Sequence, residues 1–207
     1  QENLKRSSLK KADRLVEAAA QSIGRTSGSD AATASLMNLL AQYEMIQEQK
    51  QMLEGLMAEL LFKVPHADKL LAIKGVGLVS AAVIVSEIGD IYRFRDPRQI
   101  LKMAGLSLKE NSSGKHKGKT TISKRGRRRL REGLFRVMIP ILATNGEFRA
   151  IHQRNLSRTV NPLNKMQSII ALCGKLTRVL YAILTKGSDY KADKLIGDMK
   201  QSLKDAA

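Results

Sequence analysis

Seven apolar residues, Leu36, Leu39, Tyr43, Ile46, Leu53, Met57 and Leu60, recur along the N-terminal third of this chain at helical three- and four-residue spacing. Such a row falls on one stripe of a single long helix and constrains the fold more than any other feature. The row has the heptad form of a coiled-coil seam, and Lys50 is its one polar member, a residue type that lowers stability while selecting register or partner number. The same seam also suits a long helix packed against its own domain. Asp30, Glu44, Glu48, Glu54 and Glu59 outweigh Lys50 and Lys63, so this arm is net negative and is not the expected polyanion contact. Pro65 ends it, because proline disfavours helix at Val64 and donates no backbone hydrogen bond. An earlier helix is expected from Ser7 to Ile23, with Leu9, Ala12, Val16, Ala19 and Ala20 on one side and Gly24 as its stop, before a break at Arg25 to Ser29.

Beyond Pro65 the pattern predicts two short helices around Gly75, a helix after Asp96, and an irregular basic loop through Ser123. Helices from Gly126 to Ala143 and from Glu147 to Arg158 follow. Asn161 and Pro162 read as N-cap and first-turn pair of a last long helix, with the stripe Met166, Ile169, Ile170, Cys173, Leu176, Leu180 and Leu184. Only Thr120 to Ile122 looks strand-like. The fold class is therefore mostly α: an extended coiled-coil-like helical arm over 1–64, then a compact helical domain over 65–187, then a polar tail over 188–207.

Charge narrows the function. Lys109 to Arg136 holds eleven Lys or Arg against Glu110 and Glu132, which makes +9 of the chain's formal +17. Concentrated positive charge is the footprint of a polyanion, since each neutralised phosphate releases condensed counterions; a solvated helix face is the competing explanation. With 4% aromatics and no Trp, a stacking platform for single strands is disfavoured. Cys173 is the lone cysteine, read as a core thiol in a reducing cytoplasm. No apolar stretch reads as a bilayer span and the first residues do not resemble a secretory signal, so a cytoplasmic protein with no membrane partner is expected. The sequence starts at Gln1 instead of Met, which suggests an upstream portion.

Two constellations carry chemistry. Leu70 to Asp90 contains the turn Lys74, Gly75, Val76, Gly77 between apolar segments, followed by the small residues Ser80, Ala81 and Ala82, and it resembles a helix-hairpin-helix. Glycines let backbone N–H groups approach a phosphate, and the next helix N-terminus favours negative charge, which positions a duplex without reading its bases. The same residues also suit a tight turn between packed helices. The second constellation is Asn111, Ser112, Ser113 and Gly114, followed by Lys115, His116, Lys117, Gly118 and Lys119. A serine hydroxyl is a weak nucleophile unless a base, a metal or dense positive charge assists it, and here charge is abundant. A Ser-Ser-Gly run alone is more often a turn. Glu87, Asp90 and Asp96 are spaced as helix-end and turn residues, so no metal site is expected.

The ordered blocks IKGVGLVSAAVIVSEIGDIYRF, LKMAGLSLKENSSGKHKG and ISKRGRRRLREGLF together resemble the C-terminal transposase domain of the bacterial insertion-sequence family that includes bridge-RNA-guided recombinases and the pilin-gene invertase. The likeness runs from Leu70 to Lys186, with the heptad arm where that family has a coiled-coil linker. It implies Ser113 as the nucleophile joined to a DNA end, with Ser112 the alternative, and it matches Gly75 and Gly77 to the family's hairpin. Gly126, Leu130 and Arg131 match a glycine, leucine, arginine block in which Arg127 replaces the family's usual asparagine. The resemblance further implies a RuvC-like half, ahead of the residues present here, holding divalent metal (Mg) on four acids, so that these residues alone bind nucleic acid but cleave poorly.

The expected function is thus a transposase or site-specific recombinase domain that cuts and rejoins double-stranded DNA through a serine ester. Lys74, Gly75, Val76, Gly77, Lys115, Lys117, Lys119, Lys124, Arg125, Arg127 and Arg128 are its phosphate or guide-RNA contacts, and the arm joins copies into a homo-oligomer. The competing readings are a non-catalytic helix-hairpin-helix nucleic-acid-binding module and an assembly protein built around the arm.

Overall fold

The computed structural model describes residues 6–24, 28–109, 112–113, 116–117 and 120–192. For residues 6–8, 112–113 and 116–117 only the backbone is described. The chain divides into two compact units, 1–51 and 52–207, and the architecture is mostly α, as the sequence predicts.

The first unit holds α1 (Arg6–Ala20) and most of α2 (Ser29–Phe62). The helix α1 stops at Ala20, short of the expected Ile23 and Gly24, which lie in a turn and an irregular segment. At 34 residues α2 is about 51 Å long for a rise of ~1.5 Å per residue. Leu36, Leu39, Tyr43 and Ile46 are 57–60% exposed, so that part of the seam is largely open to solvent.

The second unit is organised on α7 (Lys165–Lys186), which packs against α4 (Pro97–Met103), α5 (Arg128–Thr144) and α6 (Gly146–Ser157). Leu130, Leu134, Val137, Met138 and Ile141 give α5 a buried stripe at helical spacing, which meets Leu172, Cys173, Leu176, Leu180, Ile183 and Leu184 of α7. Helix α3 (Leu78–Ile88) crosses α5 where Gly133 leaves room: a Cβ there would come 3.3 Å from the Val83 side chain. Full burial of each such Leu, Ile or Val is worth about 1.5–3 kcal/mol, which makes this interior the main source of stability. By length and composition α7 could cross a bilayer, which the sequence reading overlooked, but its buried stripe is the centre of this core.

The expected short helix before Gly75 is present as a 3-10 helix, Asp68–Ala72. Several other expectations need correction. The N-cap of α7 is Asn164 instead of Asn161. The Asn164 side chain accepts from Gln167 N at 2.9 Å while Gln167 Oε1 accepts from Asn164 N at 3.0 Å, a complete capping box. Asn161 takes a left-handed φ of 49°, which a helix N-cap does not use. Met166 is exposed, and the buried face of α7 includes Ser168 and Leu172 in its place. The loop before Ser123 is not irregular throughout. It contains β1 (Leu108–Lys109) paired antiparallel with β4 (Thr121–Ile122), and β2 (Ser112–Ser113) paired antiparallel with β3 (His116–Lys117).

Candidate nucleic-acid interface

The basic loop is a hairpin clamped at its base by backbone bonds. Above the β1–β4 pair, Ser123 N donates to Ser107 O at 2.8 Å, Lys124 N to Gly105 O at 2.9 Å, and Arg127 N to Met103 O at 2.6 Å. Arg131 closes the clamp, donating from Nη1 to Ala104 O at 2.9 Å and to Lys124 O at 3.2 Å. The end of α4 and the start of α5 are thereby locked together, and the hairpin leaves from that junction. Two glycines permit the close approach: a Cβ on Gly126 (φ 143°) would fall 2.2 Å from Met103 O, and one on Gly105 (φ 70°) 2.8 Å from Arg125 O. Lys124 adopts φ 55°, a left-handed conformation held by the bonds on either side of it.

Further out, Ser112 stands opposite Lys117 and Ser113 opposite His116 in the β2–β3 register. Ser113 thus ends β2 at the tip of the hairpin, with the loop's imidazole residue across from it. The expected contacts Lys115 and Lys119 lie outside the described residues, and Lys117 and both serines are placed by backbone alone.

The remaining expected contacts divide by role. Lys124, Arg125 and Arg128 are exposed at the foot of the hairpin. Arg127 is partly occupied within the fold: its Nη1 donates to Glu87 O at 2.6 Å at the end of α3 and lies 3.9 Å from Glu87 Oε2. Its N–H goes to Met103 O, so α5 begins without a side-chain cap where the resembled family has asparagine. Arg131 takes part in the clamp described above through Nη1. The sequence carried no mark separating these two arginines from their neighbours, since only the fold says which carbonyls lie nearby.

The hairpin turn 74–77 also splits. Gly75 (φ 97°) presses on α5, where a Cβ would lie 2.6 Å from Ile141 Cα, and Val76 is buried. These two residues hold the turn to the domain. Gly77, by contrast, has open space around it and precedes the first turn of α3, and Lys74 is exposed. The side available to a ligand is therefore Lys74, Gly77 and the start of α3.

Among the described residues no group of three or more His, Cys, Asp or Glu could hold a metal ion. Asp90 and Asp96 are turn and cap residues: Asp90 Oδ1 accepts from Tyr92 N and Asp96 Oδ1 from Arg98 N. Hydrogen bonds from Arg98 hold the Asp96 carboxyl below its ordinary range. Burial pushes the Cys173 thiol up to about 12, which removes it as a nucleophile near neutral pH.

Residues 67–153 match the family described as "Transposase IS116/IS110/IS902 family". The chain is similar to a "Probable family 20 transposase" of Pseudomonas aeruginosa, 31% identical over 127 residues, covering 60% of this chain and 37% of that protein. It is also similar to the "Transposase for insertion sequence element IS1111A" of Coxiella burnetii, 26% identical over 127 residues, covering 60% of this chain and 34% of that one. An uncharacterised protein of insertion element IS110 from Streptomyces coelicolor is 25% identical over 155 residues, 75% of this chain and 38% of its own length. The chain thus spans little more than a third of these relatives. The matched stretch holds the 74–77 turn, the clamped basic hairpin and all of α5, and it is a transposase-family domain of the IS116/IS110/IS902 type.

Proposed function

We propose that this domain serves DNA transposition, binding duplex DNA and cutting and rejoining one strand with Ser113 as nucleophile. The observation that carries the reading is the clamped hairpin: within the stretch matched to transposases, a Ser-Ser strand is held among the densest cations of the chain.

In the proposed step the Ser113 hydroxyl oxygen attacks a backbone phosphorus and the bond from phosphorus to the leaving sugar oxygen breaks. The serine proton passes to the leaving oxygen or to solvent, so one phosphodiester replaces another and no external energy is needed. Attack on the serine ester by a sugar hydroxyl of another strand reverses the sequence and completes an exchange. Lys124, Arg125 and Arg128, with the lysines of the hairpin, supply positive charge for the developing oxyanion. Lys74, Gly77 and the α3 N-terminus grip a second stretch of backbone in helix-hairpin-helix fashion. The exposed seam of α2 joins copies into an oligomer. No step is assigned to a metal by these residues, and on their own they bind DNA while cleaving it poorly.

Incubating the intact protein with end-labelled DNA and resolving the mixture under denaturing conditions tests the assignment. Wild type should yield a covalent protein–DNA adduct, and Ser113→Ala should lose it with binding within about threefold of wild type. Adduct of equal yield from the variant would falsify Ser113 as nucleophile. Loss in Ser112→Ala alone would move the role to that residue. Tight binding with no adduct from wild type favours the non-catalytic module.

A further inference from the structure

Away from the hairpin and the 74–77 turn, a second set of cations is assembled by packing. Between Ile91 and Leu108 the chain carries Arg93, Arg95, Arg98 and Lys102 against one acid, Asp96, and α7 carries Lys165, Lys175, Arg178 and Lys186 against none. Two pins set these segments side by side. Tyr181 Oη donates to Phe94 O at 2.8 Å, and the Leu101 side chain lies 3.7 Å from where a Cβ on Gly174 would stand. The order 94 to 101 against 181 to 174 makes α4 and α7 antiparallel neighbours. Gly174, Arg178 and Tyr181 share one side of α7 at helical spacing, so Arg178 emerges between the pins. It lies close enough to Asp96 to act on its carboxyl. Arg98 and Lys102 share a row of α4 one turn apart.

Arg93, Arg95, Arg98, Lys102 and Arg178 are all exposed, and the one acid among them is already engaged by Arg98, Nη2 to Oδ2 at 2.9 Å. The Arg93 guanidinium lies over the Phe94 ring, 4.9 Å from its centroid, with Nη2 3.8 Å from Met103 Sδ, which sets it at the C-terminal end of α4. That end is the same Met103–Ala104 segment to which Arg127 N and Arg131 Nη1 are bonded. The cations therefore continue from the foot of the hairpin along α4, about 10 Å at ~1.5 Å per residue, to Arg178.

We propose that this α4–α7 face is a second DNA contact, holding the sugar–phosphate backbone of the duplex as it runs away from the basic hairpin. A duplex presents one charge per about 1.7 Å of axis, so a track of this length spans several phosphates. Phe94 is buried and Tyr92 is the single exposed ring nearby, which suits backbone contact and not base stacking. The inference rests on the DNA-binding function proposed above and adds where the duplex lies.

Salt-dependent binding of the intact chain to a labelled DNA duplex tests it. Replacing Arg95, Arg98, Lys102 and Arg178 together by Gln should weaken binding at least about tenfold and reduce the log–log salt slope by about three units or more. Should that variant lose its native circular dichroism, the exposed single changes Lys102→Gln and Arg178→Gln each report a loss of about one unit. The hairpin variant Lys124→Gln, Arg125→Gln, Arg128→Gln runs alongside. An unchanged slope for the α4–α7 variant with a reduced slope for the hairpin variant overturns this inference and leaves the proposed function standing. Wild-type protein that fails to bind duplex DNA even at low salt overturns both. A loss confined to duplex RNA would assign the face to a guide and overturn the DNA contact.

Discussion

Gly126 shows at the scale of one residue why the hairpin sits where it does. Its φ of 143° and the Met103 carbonyl, 2.2 Å from any Cβ, leave no room for a side chain at the clamp. Gly126→Ala is therefore expected to cost about 2–4 kcal/mol, whereas Gly77→Ala, with φ −95° and open space, should stay within about 1 kcal/mol. Urea unfolding of both variants checks this, and equal losses would mean that the clamp is not what fixes the turn. Arg127 and Arg131 teach the complementary point. Both belong to the most basic run of the chain, yet the guanidinium of one reaches Glu87 O and that of the other reaches Ala104 O and Lys124 O. Charge was legible residue by residue; which charges are spent on backbone carbonyls was not, because that depends on neighbours distant in sequence.

Among the elements, α7 shows how a helix start is decided. Asn161-Pro162 and Asn164 each suit a helix N-terminus, but only Asn164 has a glutamine three residues on to complete reciprocal bonds. Asn164→Ala should lower stability by about 1 kcal/mol in chemical denaturation, and no loss would show that the box contributes nothing. The α2 seam is an element-scale feature as well. Leu39 and Ile46 are 59% and 57% exposed, and the proposed pairing of copies needs them covered. Replacing both by Ser should lower the particle mass in light scattering; a mass equal to wild type would remove the seam from the contact. The long helices could be read directly from periodicity, since an apolar row repeats over many residues. The 3-10 winding of the short helix before Gly75 and the strands β1, β2 and β3 could not, although Thr120 to Ile122 reads as strand and holds β4. Each is too short to show a period, and the strands exist only through partners across the loop.

At the scale of the whole molecule, charge is sorted onto surfaces in a way the linear order only half reveals. The run from Lys109 to Arg136 announces itself, while the α4–α7 face draws on Arg93 and Arg178, which are far apart in the chain until Tyr181 and Leu101 bring their helices together. The 74–77 turn behaves likewise: one motif in the sequence, it is divided in space between Gly75 and Val76, which hold it to the core, and Lys74 and Gly77, which face outward. Composition and periodicity by themselves determined that this chain is mostly helical, strongly basic in one segment and armed with a long helix rich in apolar residues. Those properties are local sums over neighbouring residues. Only the tertiary structure decided which arginines clamp carbonyls and which meet solvent, and how scattered cations merge into one track. Hydrogen bonds and electrostatic fields act through space, and it is packing that sets those distances.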